Sequence, residues 1–152
     1  MNSVQFTISN AAWTKRAKDL RYIRKVVFIQ EQSVPVELEW DGLDDDATHF
    51  LVENSNGEAI GCARLLNDGQ IGRVAVLKRF RKNNIGRQLM LYIIDYARSH
   101  SYPNLFLHSQ ISAVNFYVAL GFAKEGSIYK EAGIDHISMK LQENVLAGEA
   151  NV

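Results

Sequence analysis

The chain has 152 residues, enough for one domain with a sizeable core, and balances 17 Lys and Arg against 17 Asp and Glu. That neutral balance argues against a general binder of nucleic acid or anionic membrane, and no apolar run reaches the roughly 18 residues of a membrane span. One cysteine, Cys62, excludes a disulfide within the chain and suits a reducing compartment. "MNSVQFTISNAAW" lacks a basic region followed by an apolar block, so no secretory leader is expected and the cytoplasm is the default location. Val4 to Ser9 alternates and predicts a strand. Good helix formers with Leu20, Ile23 and Val27 on one face predict a helix from Ala12 to Gln30. The segment from Ser33 to Asp46 carries Pro35 and a dense set of acids and reads as a loop that can hold a short turn of helix. Its acids read first as a solvated surface and second as an electronegative lip for a cationic ligand. "DGLDDD" lacks the ligand spacing of an EF-hand, and no Cys/His spacing fits zinc, so no metal is expected.

"THFLVE", "EAIGCARLL" and "QIGRVAVL" are strands joined by Asn/Gly/Asp turns, the pattern of an antiparallel meander. Cys62 is expected as a small buried strand residue. A helix follows from Asn84 to Ser99, with Ile85, Leu89, Tyr92, Ile93 and Tyr96 on one face. "LFLHS" after Pro103 is a strand. "SAVNFYVALG" is a short helix ended by Gly121, and two strands surround "EAG". Residues 1–141 read as a single domain, and 142–152 as a flexible tail without periodicity.

Between the third meander strand and its helix lies "RKNNIG". A helix start leaves amides without intrahelical partners and its dipole favours anions, so a basic turn there is a candidate phosphate site. Asn83 and Asn84 can cap the helix or adopt a left-handed backbone, and Gly86 admits a close neighbour. Neither GxxxxGK[ST] nor GxGxxG is present. The other reading of this turn is a solvated one.

"VAVLKRFRKNNIGRQLM" resembles the coenzyme A pyrophosphate motif of the GNAT superfamily of N-acetyltransferases, a strand, Arg/Gln-x-x-Gly-x-Gly/Ala and a helix. Arg81 and Gly86 match, and Asn84 replaces a glycine. "QISAVNFYVALGF" is similar to the second motif of the family through Ala113, Tyr117, Gly121 and Phe122, with Gln110 in place of Asn. "RKVVFIQEQSVPVELEWDGLDDDATHF" resembles a branch of small bacterial members through Arg24, Val27, Phe28, Glu31, Gln32, Pro35, Glu39, Asp41, Asp45 and His49.

The resemblance implies an α/β (α+β) fold, a mixed and mostly antiparallel sheet of about six to seven strands flanked by helices. It also implies acetyl transfer from acetyl-CoA to a primary amine of a small molecule or protein, with no metal. The coenzyme would be held by Arg81, Lys82, Asn83, Asn84, Ile85, Gly86 and Arg87, by the backbone of Val74, Ala75 and Val76, and by Gln110. Tyr117 would protonate the leaving thiolate. Glu31, Glu39, His49, His108 and His136 are the candidate bases, with Glu39, His49 and His108 placed with Tyr117 as the catalytic set. A homodimer is left open. The alternatives are a non-catalytic acyl-CoA-binding sensor module and an interaction domain whose basic turn meets an acidic partner.

Overall fold

The computed structural model describes residues 4–148. Its strands are β1 (Phe6–Ala11), β2 (Thr48–Asn54), β3 (Ala59–Leu65), β4 (Gln70–Val76), β5 (Phe106–Gln110), β6 (Phe122–Glu131) and β7 (Ile134–Leu141). They form one sheet in the order β1-β2-β3-β4-β5-β7-β6. Every pairing is antiparallel except β4 with β5. The helices are α1 (Trp13–Arg24), α2 (Val36–Glu39), α3 (Ile85–Ser99), α4 (Val114–Ala119) and α5 (Glu143–Leu146). The mixed, mostly antiparallel sheet expected from the sequence is observed.

Two apolar layers cover the sheet. Leu20, Ile23 and Val27 pack on one face, against Leu51, Cys62, Ala75 and Leu77. On the other face, Ile85, Leu89 and Ile93 of α3 meet Phe50, Ile60, Leu65 and Leu107, together with Met90, Ile94 and Ala97. Each such fully buried large side chain contributes about 1.5–3 kcal/mol. Tyr92 and Tyr96 sit at the layer's margin and meet the Phe50 ring edge-on at 5.8 and 5.4 Å.

The structure differs from the sequence reading at two helices. The helix expected from Ala12 to Gln30 is α-helical only to Arg24 and continues as a π-helix from Lys25 to Glu31. The segment read as a flexible tail instead forms α5. Leu146 is buried in the core, and Arg98 donates to the carbonyls of Val145 and Leu146. A four-residue helix is too short to show periodicity, and its order comes from these long-range contacts. Residues 149–152 of that segment lie outside the described residues. Gly121, at φ 102°, sits against α5, where a Cβ would come within 2.8 Å of Val145.

One feature of the sheet positions the site. β4 and β5 pair only at Gln70 with Phe106 and Ile71 with Leu107. Gly69 anchors this closed end. At φ 98° it lies so near Asn104 that a Cβ would clash, and its carbonyl accepts from Phe106 N–H at 3.1 Å. Beyond Ile71, β4 stays with β3 and β5 stays with β7, so the sheet splits into a cleft.

Candidate active site

A cavity of about 440 Å3 occupies the split. Val74 lines it from β4, His108 and Gln110 from β5, Tyr117 from α4, Glu39 and Asp41 from the α2 side, and Glu131 and His136 from the β6–β7 hairpin.

The β4 wall is bulged. Cys62 pairs with Ala75 and Arg64 with Gly72, so Arg73 and Val74 oppose the single residue Ala63. Arg73 adopts φ 54°, a left-handed backbone that costs a non-glycine residue roughly 1–3 kcal/mol. Cys62 is buried, and burial pushes its thiol up to about 12, so it stays a donor. It donates to the Arg73 carbonyl at 3.4 Å.

Past the bulge the backbone alternates. Leu77 N–H donates to Ile60 on β3, and the Ala75 carbonyl faces Gly61, also on β3. Val76 presents its carbonyl to the opposite edge, where Arg81 Nε donates to it at 2.8 Å. Strand alternation therefore turns the backbone of Val74 and Val76 toward the split. Ala75 is corrected out of the expected contact set, because its polar backbone serves β3.

The basic turn is shaped by two left-handed residues, Lys82 (φ 65°) and Asn84 (φ 66°). Asparagine thus performs the backbone task for which glycine is the usual choice. The helical ladder begins with Gln88 N–H donating to the Asn84 carbonyl at 3.1 Å, leaving the amides of Ile85, Gly86 and Arg87 ahead of it. A Cβ at Gly86 would make only ordinary contact with Phe116, at 3.5 Å, so packing within the fold does not require glycine there. Asn83 donates its side-chain amide to the carbonyls of Phe80 and Arg81 and so braces the turn. Arg81 points elsewhere than expected. It forms a fork with Glu31 at 2.6 and 2.9 Å, and this hydrogen-bonded pairing holds the Glu31 carboxyl below its usual range. Both residues are thereby committed, Glu31 as a candidate base and Arg81 as a side-chain phosphate ligand. Neither they nor the rest of the turn line the cavity.

Three acids of the acid-rich segment depart from its first reading. Arg24 donates to Glu39 at 2.8 Å and to Asp44 at 2.7 Å. Arg64 binds Asp41 at 2.8 Å and Asp44 at 3.0 Å. Arg73 Nε lies 2.8 Å from Glu39 Oε2 as an ion pair without hydrogen-bond geometry, while its Nη2 donates to the carbonyls of Leu38 and Glu39 and to Asp41. Arg24, Glu39, Asp44 and Arg64 are buried. Burial pushes the Asp41 carboxyl up, but the Arg64 hydrogen bond, the Leu43 amide and the nearby guanidinium charges outweigh it and hold it at about 2. Glu39, Asp41 and Asp44 are therefore neither solvated charge nor a free lip, while Glu37, Asp45 and Asp46 stay exposed as the first reading had them. Glu39 reaches the cavity wall, but its carboxylate is held between two arginines and is not a free base.

His49 is corrected as well. It is buried and stacked on Trp13 at 4.8 Å, and it donates Nε2–H to the Asp44 carbonyl at 2.9 Å. Burial lowers its pKa and keeps it neutral. It lies outside the cleft lining.

His108 and Tyr117 do share the cavity. Burial pushes the Tyr117 hydroxyl up to about 12, and its ring packs edge-on against Phe116 and Phe122. Gln110 donates to Gln32, the residue after the π-helix, at 2.8 Å, and both line the cavity. His108 Nδ1 meets the Tyr129 hydroxyl, and Tyr129 stacks on His136 at 6.1 Å. Tyr129 escaped the sequence reading, although a two-residue Ala132–Gly133 turn pairs it directly with His136. Arg73 escaped too, and its signal was a lone arginine inside an apolar strand. Among the described residues no group of three or more His, Cys, Asp or Glu is arranged to hold a metal ion.

This architecture matches known proteins. Residues 16–143 match the family model described as an acetyltransferase (GNAT) domain. A UPF0039 protein of Schizosaccharomyces pombe is 33% identical over 150 residues, covering 93% of this chain and 99% of its own. Protein ElaA of Escherichia coli is 33% identical over 129 residues, covering 79% and 83%. Its crystal structure superposes with a TM-score of 0.79, at 29% identity, over 91% of this chain and 99% of that one. An acyl-CoA N-acyltransferase from Pseudomonas aeruginosa gives a TM-score of 0.79 at 28% identity, over 92% and 100%. The chain belongs to the GNAT acetyltransferase family, whose members transfer acyl groups from acyl-CoA.

Proposed function

We propose that this chain transfers the acetyl group of acetyl-CoA to a primary amine by direct attack in a ternary complex. The observation that carries this reading is the cleft. One open strand edge, at Val74, runs between a turn whose first helical amides precede the hydrogen-bonded ladder and the half-buried Tyr117. The pyrophosphate sits on the amides from Lys82 to Arg87. The pantetheine arm pairs with the β4 edge as an added strand, and the Val74 N–H polarises the thioester carbonyl. The neutral amine attacks the carbonyl carbon, the C–N bond forms, and the C–S bond breaks with its electron pair leaving on sulfur. His108 takes the amine proton; it lines the cavity, as His136 does, but His136 lies 3.7 Å from the Glu131 carboxylate. Tyr117 gives its proton to the thiolate.

With Tyr117 at about 12 and a free thiol near 8.5, that last step is uphill by about 5 kcal/mol. The same apolar burial raises the bound thiol, which narrows the gap. The buried reduced thiol of Cys62 is consistent with a cytoplasmic enzyme.

The test is CoA thiol release against a broad amine panel across pH. Tyr117→Phe is expected to lower kcat about 100-fold with little change in KM for acetyl-CoA. Because Tyr117 stays protonated well below its pKa of about 12, wild-type kcat should rise as the amine loses its proton and show no basic decline up to about pH 10. Unchanged turnover in Tyr117→Phe at every pH would remove Tyr117 from the mechanism. Saturable acetyl-CoA binding with no amine turned over would favour the sensor module.

A further inference from the structure

We infer that Arg73 is a positioning residue for acyl transfer, tying the α2 wall of the cleft to the backbone amide that faces the thioester. The inference rests on the function proposed above. Arg73 is the left-handed residue of the β4 bulge, and Val74, whose backbone turns into the cleft, is the next residue in the chain. An L-residue resists this conformation, so the bulge needs outside support.

The guanidinium supplies it. Nη2 is fastened to the carbonyls of Leu38 (3.3 Å) and Glu39 (3.0 Å) and to Asp41 Oδ2 (3.2 Å), and Nε lies against the Glu39 carboxylate. Glu39 is itself held by the buried Arg24, and Asp41 by Arg64. The tether therefore ends on a rigid frame. Leu38, Asp41 and Leu43 line the cavity, as Arg73 and Val74 do. One side chain thus connects the wall formed by the α2 segment with the amide that meets the acyl carbonyl. Cys62 holds the same bulge from β3 through its contact with the Arg73 carbonyl.

Arg73→Gly separates the tether from the backbone, because glycine adopts the left-handed region without penalty. The variant is expected to fold and to bind acetyl-CoA within about threefold of wild type, while kcat falls about 100-fold from a misaimed amide. In wild type, the infrared carbonyl stretch of bound carbon-13 acetyl-CoA should lie below its value in water. In Arg73→Gly it should return toward that value. Added methylguanidinium should restore part of kcat, and methylammonium should not.

Wild-type kcat and carbonyl frequency in Arg73→Gly would overturn the inference. So would a loss of acetyl-CoA affinity equal to the loss of kcat, the mark of a general structural role. Should Arg73→Gly fail to fold, Arg73→Lys keeps the charge without the fork, and an unshifted carbonyl frequency there would likewise overturn the tether. The carbonyl shift is read on bound acetyl-CoA alone. It therefore stands apart from failure of every amine in turnover, which would count against the proposed function instead.

Discussion

Two charged stretches of the chain meet opposite fates in the fold. The acid-rich run from Glu39 to Asp44 and the basic turn from Arg81 to Arg87 both look like solvated surface or ligand-steering charge. In the fold, three of the acids are bound by Arg24, Arg64 and Arg73, and the segment is a closed ionic lock. In the basic turn the most conspicuous charge, Arg81, is also paired, with Glu31. What stays open there is the backbone amides at the head of α3 and, beside them, the exposed side chains of Lys82 and Arg87. The difference teaches that charge in a sequence does not mark a ligand site. Unsatisfied hydrogen-bonding capacity does, and only the fold shows which groups have it.

The contrast can be broken in three places. The largest effect is expected at the lock. Glu39→Ala leaves Arg24 buried without one of its two carboxylates and should cost about 3–5 kcal/mol in urea unfolding. A change under about 1 kcal/mol, the scale of an exposed pair, would show the segment to be surface after all.

An intermediate effect is expected at Asn84. A β-branched residue resists φ 66° by roughly 1–2 kcal/mol, so Asn84→Val should weaken acetyl-CoA binding about tenfold in a calorimetric titration. Asn84→Gly should stay within about twofold of wild type. Equal affinities in all three proteins would mean that the turn does not hold the coenzyme.

The smallest effect is expected at the Arg81–Glu31 fork. Both side chains are about one-third exposed, so Arg81→Ala and Glu31→Gln should each weaken acetyl-CoA binding by only about two- to fivefold, without adding in the double variant. A large loss confined to Arg81→Ala would return Arg81 to the phosphate as a direct ligand.

Much of the fold was legible because local pattern and tertiary role agree. Leu20, Ile23 and Val27 recur at helical spacing and are buried as a stripe. Gly121 ends a helix and has φ 102°. The meander from β2 to β4 follows turns written in Asn, Gly and Asp. The candidate site was legible only in part. Tyr117, His108, Gln110 and Val74 meet at one cavity, while His49 does not, and no local pattern separates His49, near the start of β2, from His108, in the middle of β5. Arg73 shows the limit most clearly. Its role depends on carbonyls 34 and 35 residues away in sequence.

The sequence by itself determined the order of the strands and of the helices that cover the sheet, the two apolar faces, the left-handed tolerance at Asn84 and the family. These follow from periodicity, backbone preference and motif, all carried by neighbours along the chain. Only the tertiary structure decided where the sheet splits, which strand edge stays open, and which charges are already neutralised. Those depend on pairings between distant segments, and a side chain's chemistry is settled by the partners it finds there.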